Sequence, residues 1–260
     1  MNVFGLAWEL LFYSRTILVN KSVPRGERLN IVSAFLKLRL KKVFGFKAGN
    51  FESLAGFKVK FFDYHTISFL FREIFIQRQY DTELNKAPFI IDCGANIGVS
   101  LLFFKKKFPD AKIYCFEPDP LSYALLLENK KANNLNVSVF NKAVSGTPGE
   151  WAFFYSIREP SPKASLFHNK SCLNETTVQC VKLSSYIHGI VDLLKMDIEG
   201  AELEVLQDLQ RAGKLWHIKQ IIFEHHAIKG NSLAKALTIL ERNKFEYTVD
   251  GSIVNARRTS

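Results

Sequence analysis

The sequence predicts an α/β fold in which a mostly parallel sheet is covered by helices on both faces, with a basic helical extension ahead of it. Three observations predict it. From residue 89 onward, short apolar runs that read as buried strands alternate with stretches of helical apolar spacing. A tight small-residue turn, Asp92-Cys93-Gly94-Ala95-Asn96-Ile97-Gly98, joins the first of these strands to its helix. Four of the five expected parallel strands end in polar or ionisable groups, at Asp92, Glu117, Asp197, and Glu224 with His225 and His226. In open α/β sheets ligands bind beyond the carboxyl ends of the strands.

In chain order, residues 57–61 alternate like a strand and residues 68–80 have helical spacing. Residues 1–60 read as the extension and 61–260 as the main domain. Strand 89–92 leads into a helix that stops at Phe108, before Pro109, with Lys105, Lys106 and Lys107 complementing its C-terminal dipole. A second strand ends at Glu117. Asp119-Pro120 then supplies an N-cap and a first helical residue for a helix to about residue 133. A third strand, 137–140, meets the turn Asn141-Lys142-Ala143.

Residues 145–182 break the rhythm. Residues 151–155 look like a strand, but 161–165 and 169–177 are loop-like, so the segment is expected to be an insertion on the ligand edge that acts as a substrate lid. A fourth strand, 191–196, runs into Asp197-Ile198-Glu199-Gly200-Ala201-Glu202 and a helix to about residue 209. A fifth, 218–223, precedes Glu224. Leu233, Ala236, Leu237 and Leu240 mark one more helix, and Asp250-Gly251 closes a hairpin.

Composition narrows the setting. A chain of 260 residues, 47% hydrophobic, buries a full core. The four cysteines show no C-x-x-C spacing, and Cys93 and Cys115 fall in expected buried strands, which reads as reduced thiols in a cytoplasmic protein. Residues 3–19 are apolar but carry Glu9 and Arg15, against the ~20 predominantly apolar residues of a membrane span. The first basic residue, Arg15, comes too late for a secretory leader. The net charge of +10 is concentrated in residues 1–60, where 11 Lys or Arg face only Glu9, Glu27 and Glu52. Residues 31–47 have the pattern of a basic amphipathic helix, and peripheral contact with the inner membrane surface is expected there.

The turn specifies the ligand class. A glycine turn between strand and helix admits close backbone approach, and Glu117, 25 residues after Asp92, stands near the offset of a ribose-binding acid. The dinucleotide fingerprint needs a third glycine, and no P-loop is present, so NAD and nucleoside triphosphates are disfavoured. S-adenosylmethionine fits: it has a ribose and a cationic sulfonium but no phosphate, and Asp92 could meet its positive charge. Asn96, at the middle of the turn, is one of the few non-glycine residues at ease with positive φ.

The chain resembles the FkbM-type S-adenosylmethionine-dependent methyltransferases. Ile91-Asp92-Cys93-Gly94-Ala95-Asn96-Ile97-Gly98 and Leu194-Lys195-Met196-Asp197-Ile198-Glu199-Gly200-Ala201-Glu202 carry the resemblance, with Phe116-Glu117-Pro118 and Ala143-Val144-Ser145 in support. It covers about residues 74–254, and the extension inherits nothing from it. The resemblance implies a seven-stranded class I methyltransferase (Rossmann-like) sheet and methyl transfer to a hydroxyl, often on a sugar or a polyketide-derived ring. It implies that Asp92, Gly94, Asn96 and Gly98 line the methionine portion of the cofactor, that Glu117 holds the ribose, and that Asn141 and Ala143 lie near adenine. Asp197, Glu199, Glu224 and His226 would stand at the substrate side, a doubled histidine leaving open whether His225 or His226 faces it.

An alcohol acceptor must lose a proton, and Asp197, Glu199 or His226 could take it, histidine being best matched to neutral pH before any perturbation. A divalent cation on Asp197 and Glu224 is a second route, less favoured because so few ligands suit a hard cation poorly. Asp197 and Glu199 also read as acids opening a helix, Glu202 as a helix-face pairing residue, and Lys195 as a buried partner for one of the acids. Small-molecule or glycan acceptors follow. Nucleic acid is disfavoured because an acidic entrance repels phosphate, and a non-catalytic module that binds S-adenosylmethionine stays as the other alternative.

Overall fold

The computed structural model describes residues 3–49, 51–155, 174–228 and 230–259. The chain divides into two units, one of residues 1–81 with 128–134 and one of residues 82–127 with 135–260. The boundary expected at residue 60 therefore lies within the first unit.

The first unit opens with helices α1 (Val3–Val19) and α2 (Arg25–Val43). Arg28 closes the C-terminal end of α1 by donating to the carbonyls of Leu18 (2.8 Å) and Val23 (2.9 Å). Glu9 of α1 pairs with the buried Arg39 of α2, and Arg72 approaches the same carboxylate at 3.9 Å. Ile31, Val32, Phe35 and Leu38 are buried in this unit. Of the apolar residues in 31–47, where membrane contact was expected, these four are buried while Leu40, Val43, Phe44 and Phe46 are exposed.

A hairpin of β1 (Glu52–Leu54) and β2 (Phe57–Val59) follows, then α3 (Tyr64–Phe71), capped by Asp63 through the Thr66 amide (2.8 Å). Its end widens into a π turn over Arg72–Ile76. Asn129 and Asn133 bind the backbone of the hairpin. The Asn129 carboxamide accepts from the Lys60 N–H (2.7 Å) and donates to the Lys60 carbonyl (2.9 Å). Asn133 does the same at Lys58, at 2.8 and 2.7 Å.

The second unit runs through β3 (Phe89–Cys93), α4 (Val99–Lys107), β4 (Lys112–Phe116), α5 (Pro120–Ala132), β5 (Ser138–Phe140), β6 (Ala143–Val144), β7 (Gly149–Tyr155), β8 (Asn174–Val181) and β9 (Leu193–Met196). It continues with α6 (Glu202–Arg211), β10 (Gln220–Glu224), α7 (Leu233–Arg242), β11 (Phe245–Asp250) and β12 (Ile253–Arg258). Helix α5 starts here and its last residues belong to the first unit. Asp119 caps it as expected, accepting from the Leu121 and Ser122 amides, both at 3.2 Å.

Seven strands form one sheet in the order β11-β12-β10-β9-β3-β4-β5. The run β10-β9-β3-β4-β5 is parallel, and β12 enters antiparallel between β10 and β11. Ile91, Leu194, Phe223 and Ala256 of the sheet share a buried cluster with Leu206 of α6 and Leu240 of α7. The chain steps from β3 to β4 and β5, then returns to lay β9 on the other side of β3. The carboxyl ends of β3 and β9 therefore flank the topological switch point, where open sheets place their ligands.

One expectation needs correction. Residues 169–177 read as loop, yet β8 begins at Asn174 and pairs with β7 and β6 in a second, three-stranded sheet. Its polar residues sit on the solvent side while Val178 and Cys180 are buried, a period of two hidden by the polar composition. The segment 156–173, with Cys172 and nearly half of the expected lid, lies outside the described residues.

Candidate active site

The turn after β3 is built from positive-φ positions: Gly94 at 80°, Asn96 at 51° and Gly98 at 94°. Asn96 takes the left-handed conformation expected of it. The amides of Gly94 and Ala95 both donate to the Phe116 carbonyl at the end of β4, at 2.9 and 3.0 Å. A Cβ at Gly94 would lie 1.8 Å from the Asp197 carbonyl oxygen. That glycine is demanded by the neighbouring strand end as much as by any ligand, and it brings the turn against the start of the acidic run.

Glu117 stands at the end of β4, where its carboxylate accepts the Asn96 amide (2.7 Å) and the Asp119 amide (2.9 Å). Burial pushes its carboxyl up to about 8, with the two amides opposing and the Asp119 charge adding to the rise. Each oxygen keeps a second lone pair, so two adjacent hydroxyl donors would ease the cost of its charge. Asn141 donates to the carbonyls of Glu117 (2.9 Å) and Pro118 (3.0 Å), fixing this strand end from behind. Ala143, expected near adenine, is 3% exposed and packs with Phe153, Val178 and Cys180, so its side chain belongs to the second sheet's core.

Asp92, expected to line the methionine portion of the cofactor, has two partners within the protein. It is fully buried, with the Lys195 ammonium 3.0 Å from Oδ1 and the Ser100 hydroxyl donating to Oδ2 at 2.6 Å. Lys195, itself 1% exposed, also donates to the Gly94 carbonyl at 2.7 Å and lies 3.9 Å from Asp197. Burial alone would lower the Lys195 pKa, but the Asp92 and Asp197 charges raise it. The pair is an internal brace that ties β3 to β9 and holds the turn's carbonyl. Lys195 was expected to pair with an acid of the Asp197–Glu202 run; it reaches Asp197 at 3.9 Å, but its nearer partner is Asp92 at 3.0 Å.

The acidic run is not a helix start. Glu199 has φ 54° and Gly200 φ 112°, and α6 begins only at Glu202, with Ala201 as N-cap. The turn carries Asp197 and Glu199 to His226, whose Nε2 lies 3.8 Å from Asp197 and 3.5 Å from Glu199. His226 is therefore the histidine that faces the acids. The His225 amide instead donates to the Ser252 carbonyl (2.7 Å), across the strand ends. Glu224 accepts the Ser252 hydroxyl at 3.0 Å, and its charge adds to the rise of the Glu199 carboxyl.

Glu202 organises this cluster, and the helix-face role expected for it does not hold. It is fully buried and gathers the Ile198 amide (3.3 Å), the Gly200 amide (3.2 Å), the Asn231 carboxamide (2.6 Å) and His226 Nδ1 (3.0 Å). A carboxylate only accepts, so Nδ1 carries its proton and Nε2 is aimed at Asp197 and Glu199. Asn231, which sequence reasoning missed, also receives the Leu203 amide at 3.2 Å. Its donor to Glu202 comes from a distant loop, and no spacing in the sequence signals it.

Electrostatics assign the proton. Burial would lower the His226 pKa, but the hydrogen bond to Glu202 and the charges of Glu199, Glu202 and Asp197 outweigh it and raise the imidazole to about 9. Burial pushes Glu199 up to about 7, with His226 opposing and Asp197 and Glu202 adding to the rise. At neutral pH the imidazole is charged, which leaves Asp197 and Glu199, of the three groups expected as candidate bases, as those able to accept a proton. The donor atoms of Asp197, Glu199 and His226 lie within 4.8 Å of one another, so these three could also hold a divalent cation. Glu224, expected as a cation ligand, is not one of them.

Known proteins resemble the chain in sequence and in fold. The family described as Methyltransferase FkbM domain matches residues 92–247. Methyltransferase sdnD of Sordaria araneosa is 32% identical over 73% of this chain and 89% of its own length. The 31-O-demethyl-FK506 methyltransferase FkbM of Streptomyces tacrolimicus is 30% identical over 70% and 83%. The hexuronic acid methyltransferase AglP of Haloferax volcanii is 30% identical over 52% and 55%. The crystal structure of methyltransferase FkbM from Methylobacillus flagellatus KT superposes with a TM-score of 0.51 at 14% identity, covering 96% of this chain and 58% of that one, and shares the fold. A seven-stranded class I methyltransferase sheet carrying the Asp92–Gly98 turn and the Asp197–Glu202 run places the chain in a family: it belongs to the FkbM methyltransferases.

Proposed function

We propose that the protein transfers a methyl group from S-adenosylmethionine to a hydroxyl oxygen, with a sugar of a glycan or glycoconjugate as acceptor. The observation that carries the reading is the direct contact between the nucleoside turn and the acid–histidine cluster, through Gly94 and Asp197. The residues fit the cofactor: Glu117 is a buried carboxylate with lone pairs left for a ribose diol, and the turn from Gly94 to Gly98 lies beside it. S-adenosylmethionine, when bound, supplies a methyl on an activated sulfonium, so the protein's part is to align the acceptor and take its proton. Glu199, balanced near neutral pH, accepts that proton. Asp197 accepts a hydrogen bond from the sugar, and the charged His226 steadies both carboxylates. AglP, named for a hexuronic acid, supports the sugar, and the 31-O position in the name of the Streptomyces relative supports the oxygen.

The test is methyl transfer to a panel of sugar and macrolide hydroxyls by wild type and Glu199→Gln. Loss of at least a hundredfold in kcat with unchanged S-adenosylhomocysteine affinity supports the assignment, and wild-type turnover by the variant overturns it. The Asp197, Glu199 and His226 triad favours one second reading, in which these three side chains ligate a divalent cation and the acceptor hydroxyl joins them. Activity abolished by a chelator and restored by magnesium or manganese selects that reading over a metal-free base.

A further inference from the structure

We propose that α1 is an interfacial helix that seats the protein on an anionic lipid bilayer. Its outward face is apolar. Trp8, Leu11, Phe12, Leu18 and Val19 are 72, 70, 54, 41 and 64% exposed, at spacings of three, four and seven that put them on one side of the helix. Its acid points the other way: Glu9 is turned inward to the buried Arg39. A water-facing helix keeps its outer face polar, and an outer face this apolar suits a helix whose outer medium is the bilayer interface.

The charge around the stripe selects a bilayer over another apolar surface. Arg15 lies within the exposed stripe, and Lys21 and Arg25, both exposed, follow its end. Residues 1–60 carry 11 Lys or Arg against three Glu. Long cationic side chains reach from a buried helix to the headgroups, and indole at Trp8 favours the same depth. Seventeen residues extend ~25 Å along the surface. No helix among the described residues is long and apolar enough to cross a membrane. The surface differs from that expected at residues 31–47, whose Phe35 and Leu38 are buried.

Co-sedimentation of the full chain with vesicles of phosphatidylcholine, with and without phosphatidylglycerol, tests the proposal. Wild type is expected to pellet with anionic vesicles at low salt and to be released by high salt. Leu11→Glu with Phe12→Glu changes exposed positions only and should abolish pelleting while leaving the circular dichroism spectrum intact. Arg15→Gln and Lys21→Gln should each weaken binding about fivefold, the equivalent of ~1 kcal/mol per cation. In a Trp151→Phe, Trp216→Phe background, the remaining Trp8 emission should shift to the blue on binding. Absence of pelleting at low salt overturns the proposal, as does equal binding by the Leu11→Glu, Phe12→Glu variant. A wild-type dimer that this variant splits, with no vesicle binding, overturns it in favour of a second copy of the chain.

Discussion

Replacing Lys195 with Met removes the ammonium of the internal brace at nearly constant side-chain volume. Asp92, fully buried, would then keep only the Ser100 hydroxyl at 2.6 Å, and the Gly94 carbonyl would lose its 2.7 Å donor. Breaking one side of a buried ion pair costs ~3–5 kcal/mol, because the remaining charge is stranded away from water. The 1% exposure of Lys195 places the site in that regime rather than among surface pairs worth ~1 kcal/mol or less. Adding Asp92→Asn removes the stranded charge while keeping a group that the Ser100 hydroxyl can bond, so the double variant should recover most of the loss. Urea denaturation of the full chain, followed by circular dichroism, reads both. Calorimetry with S-adenosylhomocysteine reads the turn, and the single variant should bind at least tenfold more weakly. A Lys195→Met protein within ~1 kcal/mol of wild type refutes the reasoning. So does a double variant that falls by the sum of the two single losses.

Gly94→Ala, with φ of 80° and a Cβ 1.8 Å from the Asp197 carbonyl, should abolish S-adenosylhomocysteine binding and methyl transfer, whereas Gly26→Ala, with nothing within 4 Å, should leave both intact; calorimetry compares them. Glu117→Gln should weaken the same ligand by ~10–100-fold, the range for a hydrogen bond to a charged group, and unchanged affinity would remove Glu117 from the ribose site. His226 and Glu199 are both raised, to about 9 and about 7, so each contributes stability that is full below its unfolded value and is lost as pH rises through its folded one. Urea midpoints of wild type should accordingly fall between pH 5 and 9. Glu199→Gln should flatten the lower part of that slope and His226→Gln the upper part; variant curves parallel to wild type would contradict the shifts.

The strands were legible because each is a short run that is apolar throughout or, in 193–196, apolar apart from Lys195: residues 89–91, 113–116, 193–196 and 221–223 are almost wholly buried, and a run buried on both faces needs no partner to be recognised. The Asp119 cap, the left-handed Asn96 and the Asp250-Gly251 hairpin were legible for a related reason, since each is fixed by local backbone chemistry. What depends on residues far apart was not. Asp92 carries an acid's signature for a cationic ligand, and only the parallel pairing of β3 with β9 reveals that Lys195 consumes it. Glu202 collects donors from residues 198, 200, 226 and 231, which no periodicity joins. An amphipathic pattern states that a helix has an apolar side without stating what that side meets: within residues 31–47 Phe35 and Leu38 enter the core while Leu40, Val43 and Phe44 are exposed.

Asn129 and Asn133, one helical turn apart, grip the peptide groups of Lys60 and Lys58 as a neighbouring strand would. The hairpin edge is thus sealed by side chains encoded some seventy residues downstream. Cutting the gene after Asp81 would yield a fragment whose second strand has unsatisfied amides and carbonyls, an invitation to pair with identical fragments. The N-terminal helices are therefore inseparable in practice from the methyltransferase sequence: expressed alone they should gather into aggregates, and supplying the α5 segment in trans, or replacing both asparagines with alanine in the intact chain, would show how much of their solubility rests on two carboxamides.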